Sequence, residues 1–152
     1  MQQKIQISLL YMLAISFLTS FSSLSDANAQ CKIFVRTCVT ELHPYIHDGS
    51  YQAVIMSQGE EAEVYKTVFA GQQYRLYVCA DNTLPNVEFI VSDFRRNILF
   101  DNRKNNNATV WNFKFDSSQQ IKVTIRIPKS SQGDAAGHVF GCVGVLFGLL
   151  EQ

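Results

Sequence analysis

The chain has 152 residues, 13 acidic and 13 basic side chains, and 12% aromatic residues. This balance excludes a disordered tail, a collagen-like repeat and a polybasic nucleic-acid-binding protein. The positive charge is concentrated locally only at Arg95–Arg96 and at Arg103–Lys104. The length suits one domain and is too short for a barrel enzyme built of eight strands and eight helices.

The N-terminal segment, residues 1–29, has the features of a secretory signal peptide. Lys4 provides a short positive region, and an apolar run follows over residues 5–21. Ala27-Asn28-Ala29 then supplies the small-x-small pattern that signal peptidase requires. The apolar run falls short of the roughly 20 apolar residues that span a bilayer, which disfavours a membrane anchor. Cleavage at the end of this segment would leave one secreted domain, residues 30–152, with no membrane span.

Four cysteines follow the predicted leader: Cys31, Cys38, Cys79 and Cys142. An even number of cysteines in an exported chain predicts two disulfides, and three pairings are possible. A zinc site is the alternative, but there is no CxxC motif, and His43, His47 and His138 lack finger-like spacing. Lipidation of Cys31 is disfavoured because a small residue must precede it, and Gln30 stands there.

The segment from Cys31 to Ile46 has apolar residues at helical spacing. One helical face would carry Cys31, Phe34, Val35, Cys38, Leu42 and Tyr45. The same segment is rich in β-branched residues, so a strand is the alternative. We predict a short helix that ends before Pro44. In such a helix Cys31 and Cys38 would lie about 10 Å apart, so each would pair with Cys79 or Cys142 instead.

From Tyr51 onward the apolar period changes to two, which is typical of strands. Eight segments have this pattern: Tyr51–Met56, Ala62–Phe69, Tyr74–Ala80, Val87–Asp93, Ile98–Asp101, Val110–Phe115, Gln120–Ile127 and Val139–Phe147. Turn residues separate them, including an expected turn over residues 130–137 and an expected exposed hairpin loop over residues 102–107. The fold class predicted is therefore mainly β, a single antiparallel, jelly-roll-like β-sandwich of about seven or eight strands with a short N-terminal helix.

Two parts of this sandwich carry further expectations. Trp111, Phe113 and Phe115 alternate with polar residues, which predicts that they lie in the core. The segment 143–150 is apolar on both faces. It is interpreted either as a central strand or as a surface whose end docks on a partner.

The chain resembles a group of uncharacterised small secreted proteins of Bacteroidota in five stretches: Val68–Cys79, Val87–Asp93, Ile98–Asn102, Trp111–Phe113 and Gly141–Leu146. This resemblance covers most of the mature chain and implies export from a bacterium of that type, without implying an activity. A looser similarity, in the AGQQYRL turn and strand, links the chain to pre-peptidase C-terminal and GOLD-like β-sandwich domains. Those domains are accessory binding modules, and they lack both the four cysteines and the N-terminal segment found here.

No catalytic residue, metal site or cofactor is predicted. There is no GxSxG motif, and the cysteines are better explained as disulfide partners than as nucleophiles. His43 and His47 are interpreted as surface polar residues rather than metal ligands. The run Glu60, Glu61 and Glu63 could hold a hard cation, but a solvated turn that leads into a strand is favoured. Aspartates 81, 93 and 101 lie near strand ends, where aspartate stabilises turns.

The sequence therefore predicts an exported, non-enzymatic β-sandwich in the periplasm or at the cell surface, acting as an envelope binding or interaction module. Its partner would be an envelope protein or a glycan, and not a nucleic acid. The alternative is a carbohydrate-binding domain that uses exposed aromatic side chains, with four candidates: Tyr45, Tyr51, Tyr65 and Tyr77. Aromatic residues in a shallow groove would favour the sugar, and a bare apolar patch near residues 143–150 would favour a protein.

Overall fold

The computed structural model describes residues 24–129 and 139–151. The predicted leader up to residue 23, the predicted turn over residues 130–137, and His138 lie outside the described residues. Within the described part, helix α1 spans Leu24–Thr37 and a 3₁₀ turn follows over Cys38–Leu42. The prediction of a helix that ends before Pro44 is confirmed.

In the part of the chain that the structure describes, nine strands follow α1: β1 Ile46–His47, β2 Gln52–Ser57, β3 Glu61–Val68, β4 Gln73–Ala80, β5 Glu88–Asp93, β6 Ile98–Asp101, β7 Val110–Lys114, β8 Gln119–Arg126 and β9 Phe140–Leu149. All eight predicted strands are present, with ends shifted by two residues or fewer. Strand β1 was not predicted, because two residues are too short to show an alternating pattern.

The strands form two antiparallel sheets. In the first sheet the order is β2-β9-β4-β7, and the short β1 also pairs with β9. In the second sheet the order is β3-β8-β5-β6. From β2 onward the chain changes sheet at every connection except the β5–β6 hairpin. This is the strand order of a jelly roll, so the predicted fold class is confirmed.

The hydrophobic core lies between the two sheets. Strands β4, β5, β8 and β9 contribute most of it, through Tyr74, Leu76, Val78, Phe89, Val91, Ile121, Val123, Ile125, Val143, Val145 and Phe147. The alternate residues of β9, including Gly144 and Leu146, are buried on the opposite side of the first sheet, beneath α1. Strand β9 is thus a central strand covered on both faces. The central-strand interpretation is confirmed for residues 143–148, which form no bare apolar patch. Leu149 and Leu150 at the end of the segment are half-buried, and docking of that end on a partner stays a prediction.

Trp111, Phe113 and Phe115 pack against the core but remain half-buried. The Trp111 ring stacks on the Phe113 ring with a centroid separation of 4.3 Å, and on the Phe100 ring at 5.3 Å. Their incomplete burial follows from the position of β7 at the edge of the first sheet. The prediction that they are core residues is confirmed in part.

Two disulfides fasten α1 and the 3₁₀ turn to the first sheet. Cys31 pairs with Cys142 in β9, with a Cα–Cα distance of 5.3 Å, and Cys38 pairs with Cys79 in β4, with a Cα–Cα distance of 6.5 Å. Both distances suit a disulfide. As the helical spacing predicted, Cys31 and Cys38 do not bond each other. The structure makes the choice of partner that the sequence left open.

The loop after β6 corrects one expectation. Asn102 was expected in an exposed loop, but its side chain is completely buried. Its Oδ1 accepts a hydrogen bond from the Phe89 N–H at 2.8 Å, and its Nδ2 donates to the Val87 carbonyl at 2.9 Å. Asn102 therefore satisfies backbone groups where the chain enters β5, and burial without such bonds would be costly. The residues that follow, 103–107, are exposed as predicted.

Candidate binding surfaces

The two sheets differ in whether another element packs on their outer face. Helix α1 and the 3₁₀ turn pack on the outer face of the first sheet, against β2, β4 and β9. No element of residues 24–129 and 139–151 lies over the outer face of the second sheet. We call this uncovered surface the bare face. Its strand residues are Glu61, Glu63, Tyr65, Thr67, Glu88, Ile90, Ser92, Ile98, Asp101, Gln120, Lys122, Thr124 and Arg126.

At one end of the bare face the charged groups form ion pairs. The Arg126 guanidinium lies 2.7 Å from Glu61, and the Arg103 guanidinium lies 2.8 Å from Asp101 and 3.8 Å from Glu88. Hydrogen bonds from the Arg103 side chain hold the pKa of Asp101 below its ordinary value. The carboxylates at this end are thus already matched with cations of the same chain.

The middle of the bare face exposes apolar side chains. Tyr65, Lys122, Ser92 and Ile98 lie side by side in one row across the four strands. The Tyr65 residue is 56% exposed and Ile98 is 59% exposed. The Tyr65 hydroxyl donates a hydrogen bond to Glu63 Oε2 at 2.7 Å, and this bond raises the pKa of Tyr65. An aromatic and an aliphatic side chain are therefore presented to solvent on the two edge strands of the same sheet face.

Beyond this row the β5–β6 hairpin ends in a tight turn. We call its three central residues, Phe94, Arg95 and Arg96, the tip. All three are exposed, and Phe94 is 70% exposed. The two arginines were expected only as a local concentration of positive charge. No binding role was predicted for Phe94 or Ile98, although an aromatic residue in a short turn between two strands can indicate one.

A separate cleft of about 460 Å³ lies at the other end of the sandwich. The loops 81–87 and 105–109 border it, together with Phe34 of α1 and the Cys38–Cys79 disulfide. The half-buried Tyr77 lines the cleft, and burial, with the negative charge of Glu41, raises the pKa of its hydroxyl. Three exposed asparagines border the same cleft: Asn82, Asn86 and Asn107.

The four tyrosines proposed as ligand-binding residues lie on different surfaces. The Tyr45 ring lies under the Arg75 guanidinium, with 4.4 Å between the guanidinium carbon and the ring centroid. The Tyr51 ring packs on the His47 ring at 4.4 Å. Tyr65 stands on the bare face and Tyr77 lines the cleft. They do not form one groove, and the role of each in binding stays a prediction.

The aspartates predicted to stabilise turns do so. Each aspartate side chain accepts a hydrogen bond from a backbone N–H two or four residues later in the chain. Asp81 accepts from Thr83, Asp93 from Asn97, and Asp101 from Arg103. In the glutamate run, Glu61 and Glu63 pair with Arg126 and Lys122. Of the residues that the structure describes, no group of three or more His, Cys, Asp or Glu side chains could hold a metal ion.

The two histidines within the described ranges differ. His43 is exposed, whereas His47 is half-buried. The His47 ring nitrogens lie 3.1 Å from the Ser50 carbonyl oxygen and 3.2 Å from the Gly49 nitrogen. His47 therefore supports the loop between β1 and β2. No helix within residues 24–129 and 139–151 has the length and apolarity needed to cross a membrane.

Comparisons with known proteins give a likeness to solved structures at low sequence identity. No family model matches the chain, and no curated protein matches it. Among solved structures, the chain is similar to Aeromonas hydrophila PliG, a periplasmic lysozyme inhibitor of g-type lysozyme. The TM-score is 0.47 and the sequence identity 9%, and the match covers 70% of this chain and 89% of that chain. At this identity and score, the likeness carries nothing about what the present chain binds.

Proposed function

We propose that the chain is an exported, non-enzymatic binding module whose bare face holds a protein partner. The observation that carries this proposal is the difference between the two outer faces. One is covered by a helix fastened with two disulfides, and the other exposes Tyr65 and Ile98 on a rigid sheet. Tyrosine is enriched at protein interfaces, so an exposed tyrosine on an uncovered sheet face suits a protein partner.

The disulfides support the extracytoplasmic setting. Structural disulfides persist in secreted, periplasmic and surface proteins and are rare in reducing compartments. Within the described residues the four cysteines are all paired. The resemblance to secreted Bacteroidota proteins agrees with an envelope location in a bacterium of that type. The partner expected is therefore another protein of the envelope or of its surroundings.

Site-specific photo-cross-linking in the native host tests this proposal. A photoreactive phenylalanine analogue replaces Tyr65 on the bare face or, as a control, Tyr51 beside α1. We expect a discrete adduct from position 65, identified by mass spectrometry, and none from position 51. With the purified partner, Tyr65→Ala should weaken binding about tenfold or more, and Tyr51→Ala should leave it unchanged. Equal adducts from both positions, or none from position 65, would refute the proposal.

A second function, carbohydrate binding, is favoured by the composition of the cleft. The side-chain amides of Asn82, Asn86 and Asn107 each offer a hydrogen-bond donor and an acceptor to a sugar hydroxyl. Tyr77 and Phe34 supply the apolar surface against which a sugar ring can pack. This cleft lies away from the exposed middle of the bare face, so the two functions can be separated by mutation.

Titration calorimetry with soluble fragments of peptidoglycan and envelope polysaccharide tests the sugar hypothesis. The sugar hypothesis would be supported if Asn82→Ala and Asn86→Ala weakened binding of a fragment and Tyr65→Ala left that binding unchanged. These asparagines are preferred over Tyr77 because they are exposed, so their substitution should leave the fold intact. Binding insensitive to both asparagines would exclude the cleft as the sugar site.

A further inference from the structure

The tip of the β5–β6 hairpin is held rigid by a network around Asp93 and Asn97. The Asn97 N–H donates to Asp93 Oδ1 and its Nδ2 donates to Asp93 Oδ2, both at 2.8 Å. Two backbone bonds close the same turn, from the Asp93 N–H to the Asn97 carbonyl and from the Arg96 N–H to the Asp93 carbonyl. The Asn97 bonds hold the pKa of Asp93 below its ordinary value. The tip therefore loses little conformational freedom when it binds.

Arg96 adopts an uncommon backbone conformation. Its φ is +66°, in the left-handed region that glycine and asparagine usually occupy. Backbone strain of this kind concentrates at binding and catalytic sites, where the surrounding structure enforces it. Here the hydrogen bonds around Asp93 and Asn97 enforce it. The consequence is a defined backbone conformation for the turn that carries the two exposed arginines.

The charge of the tip is only partly offset within the described chain, because the Asp93 carboxylate at its base interacts electrostatically with Arg95. No carboxylate of residues 24–129 and 139–151 lies within 4 Å of the Arg95 or Arg96 guanidinium. The Arg95 guanidinium instead lies 5.3 Å from the centroid of the exposed Phe94 ring. The tip thus presents an aromatic ring and two available cations, the residue types that dominate binding energy at protein interfaces.

The tip continues the exposed row of the bare face. Ile98 follows it in the chain after Asn97, and Arg96 lies close enough to Lys122 for their like charges to interact. The β3–β4 turn, with Phe69 at 58% exposure, extends from the same end of the second sheet. Because β8 separates β3 from β5, the two turns stand about 10 Å apart. A partner that covers Tyr65 and Ile98 would therefore meet the tip.

We infer that the tip is the anchor by which this module engages an acidic pocket on its protein partner. This inference rests on the proposed function and names the chemistry of the partner: a concave site lined with carboxylates, with an apolar floor for Phe94. An anionic membrane fits the observations less well. Capture by acidic lipids takes clusters of four to eight basic residues, whereas the tip has two and the whole chain has no net charge.

Cross-linking followed by affinity measurement tests the inference. The photoreactive analogue at position 94 should join the same partner as the analogue at position 65, at a partner segment rich in Asp and Glu. With the purified full-length exported chain and that partner, Arg95→Glu/Arg96→Glu should weaken binding about 30-fold. The control Lys32→Glu/Lys104→Glu makes the same change in net charge at exposed positions away from the tip. It should change the affinity by less than about threefold.

Four outcomes would overturn the inference. Equal losses in the two charge-reversed variants would indicate a long-range effect of net charge. If Tyr65→Ala weakened binding of the partner and the tip variant did not, the tip would not be the anchor, but the proposed function would stand. If neither position 65 nor position 94 gave an adduct, both the inference and the proposed function would be refuted. Binding to phosphatidylglycerol vesicles that the tip variant abolishes, without an effect on the protein partner, would assign the tip to the membrane.

Discussion

One ion pair connects the two sheets through a side chain that faces inward. Lys66 lies in β3 opposite Ile121, on the face turned toward the core, and its ammonium binds the carboxylate of Asp48. It also lies 5.5 Å from the centroid of the Phe147 ring in the first sheet. The Asp48 side chain is only 6% exposed and accepts further hydrogen bonds from the N–H and hydroxyl of Ser50. A buried pair of this kind is sensitive to the loss of either partner.

Asp48→Asn should lower the free energy of unfolding at pH 7 by about 2–3 kcal/mol, because the Lys66 ammonium loses its counterion in a partly buried place. Burial opposes ionisation of Asp48, but the bonds from Lys66 and Ser50 outweigh it and hold its pKa below the ordinary value. The ionised carboxylate therefore stabilises the fold above the unfolded pKa of about 4, and this contribution is lost as the pH falls through the folded pKa. Urea unfolding of the wild type and of Asp48→Asn at several pH values measures this pH-dependent contribution to the free energy of unfolding.

The matched control is Glu63→Gln on the bare face. Glu63 also pairs with a lysine, Lys122, but at an exposed site where solvent screens the pair. Its substitution should leave the unfolding midpoint unchanged within error. The difference between wild type and Asp48→Asn should shrink on acidification below pH 4. A difference that stays constant down to pH 2 would contradict the assignment of the effect to the Asp48 charge.

Gly144 of β9 is required by the close approach of α1. A Cβ atom at this position would lie 2.6 Å from Val35 Cγ2 and 2.8 Å from Cys79 Sγ. Gly144→Ala should therefore lower the free energy of unfolding by about 1–3 kcal/mol through overpacking. Combining it with Val35→Ala removes the nearest methyl groups, so the double variant should be less destabilised than the sum of the single ones. Strict additivity of the two losses would show that the clash is relieved elsewhere.

Among the elements, α1 depends on its disulfides for its position. The Cys31–Cys142 pair spans 111 residues of sequence and the Cys38–Cys79 pair spans 41. Replacing Cys38 and Cys79 with alanine should cost about 4 kcal/mol, and replacing Cys31 and Cys142 about 5 kcal/mol, by the chain-entropy relation. Denaturant unfolding measures both losses. Alkylation of the wild type without reduction should modify none of the four cysteines, and uptake of reagent would contradict the pairing.

Across the whole molecule, the same residue type serves the core in one place and the surface in another. Phe89, which is 1% exposed, and Phe94, which is 70% exposed, lie at opposite ends of the same β5–β6 hairpin. Phe89→Ala should lower the free energy of unfolding by about 3–5 kcal/mol. Phe94→Ala should change it by less than about 0.5 kcal/mol, because its ring is already hydrated.

Thermal unfolding of the two phenylalanine variants checks this contrast. If Phe94→Ala also lost several kcal/mol, the tip would be a structural element rather than a binding surface. If Phe94→Ala kept the full stability of the wild type while its affinity for the partner fell, the exposed ring of the tip would serve recognition. The comparison thus separates folding from binding with a single side-chain type.

The alternating pattern of the sequence was sufficient to predict the strands. In β8 the buried residues Ile121, Val123 and Ile125 alternate with the polar Lys122 and Thr124, and this period of two follows from the geometry of a strand. Helical spacing likewise indicated α1 and excluded a bond between Cys31 and Cys38. These features depend on neighbours in the sequence, so the sequence could determine them.

Other features depend on which strands become neighbours in space. The jelly-roll order of the strands decides three such features. These are the cysteine that pairs with Cys79, the sheet that α1 covers, and the inward position of Lys66 beside Asp48. The burial of Asn102 has the same origin, because its partners belong to the start of β5. The bare face exists only once α1 is fastened to the opposite sheet. The sequence determined the local structure and the number of disulfides. Long-range strand pairing decided which cysteines bond and which outer face stays uncovered, because pairing between distant strands is not encoded in any local period.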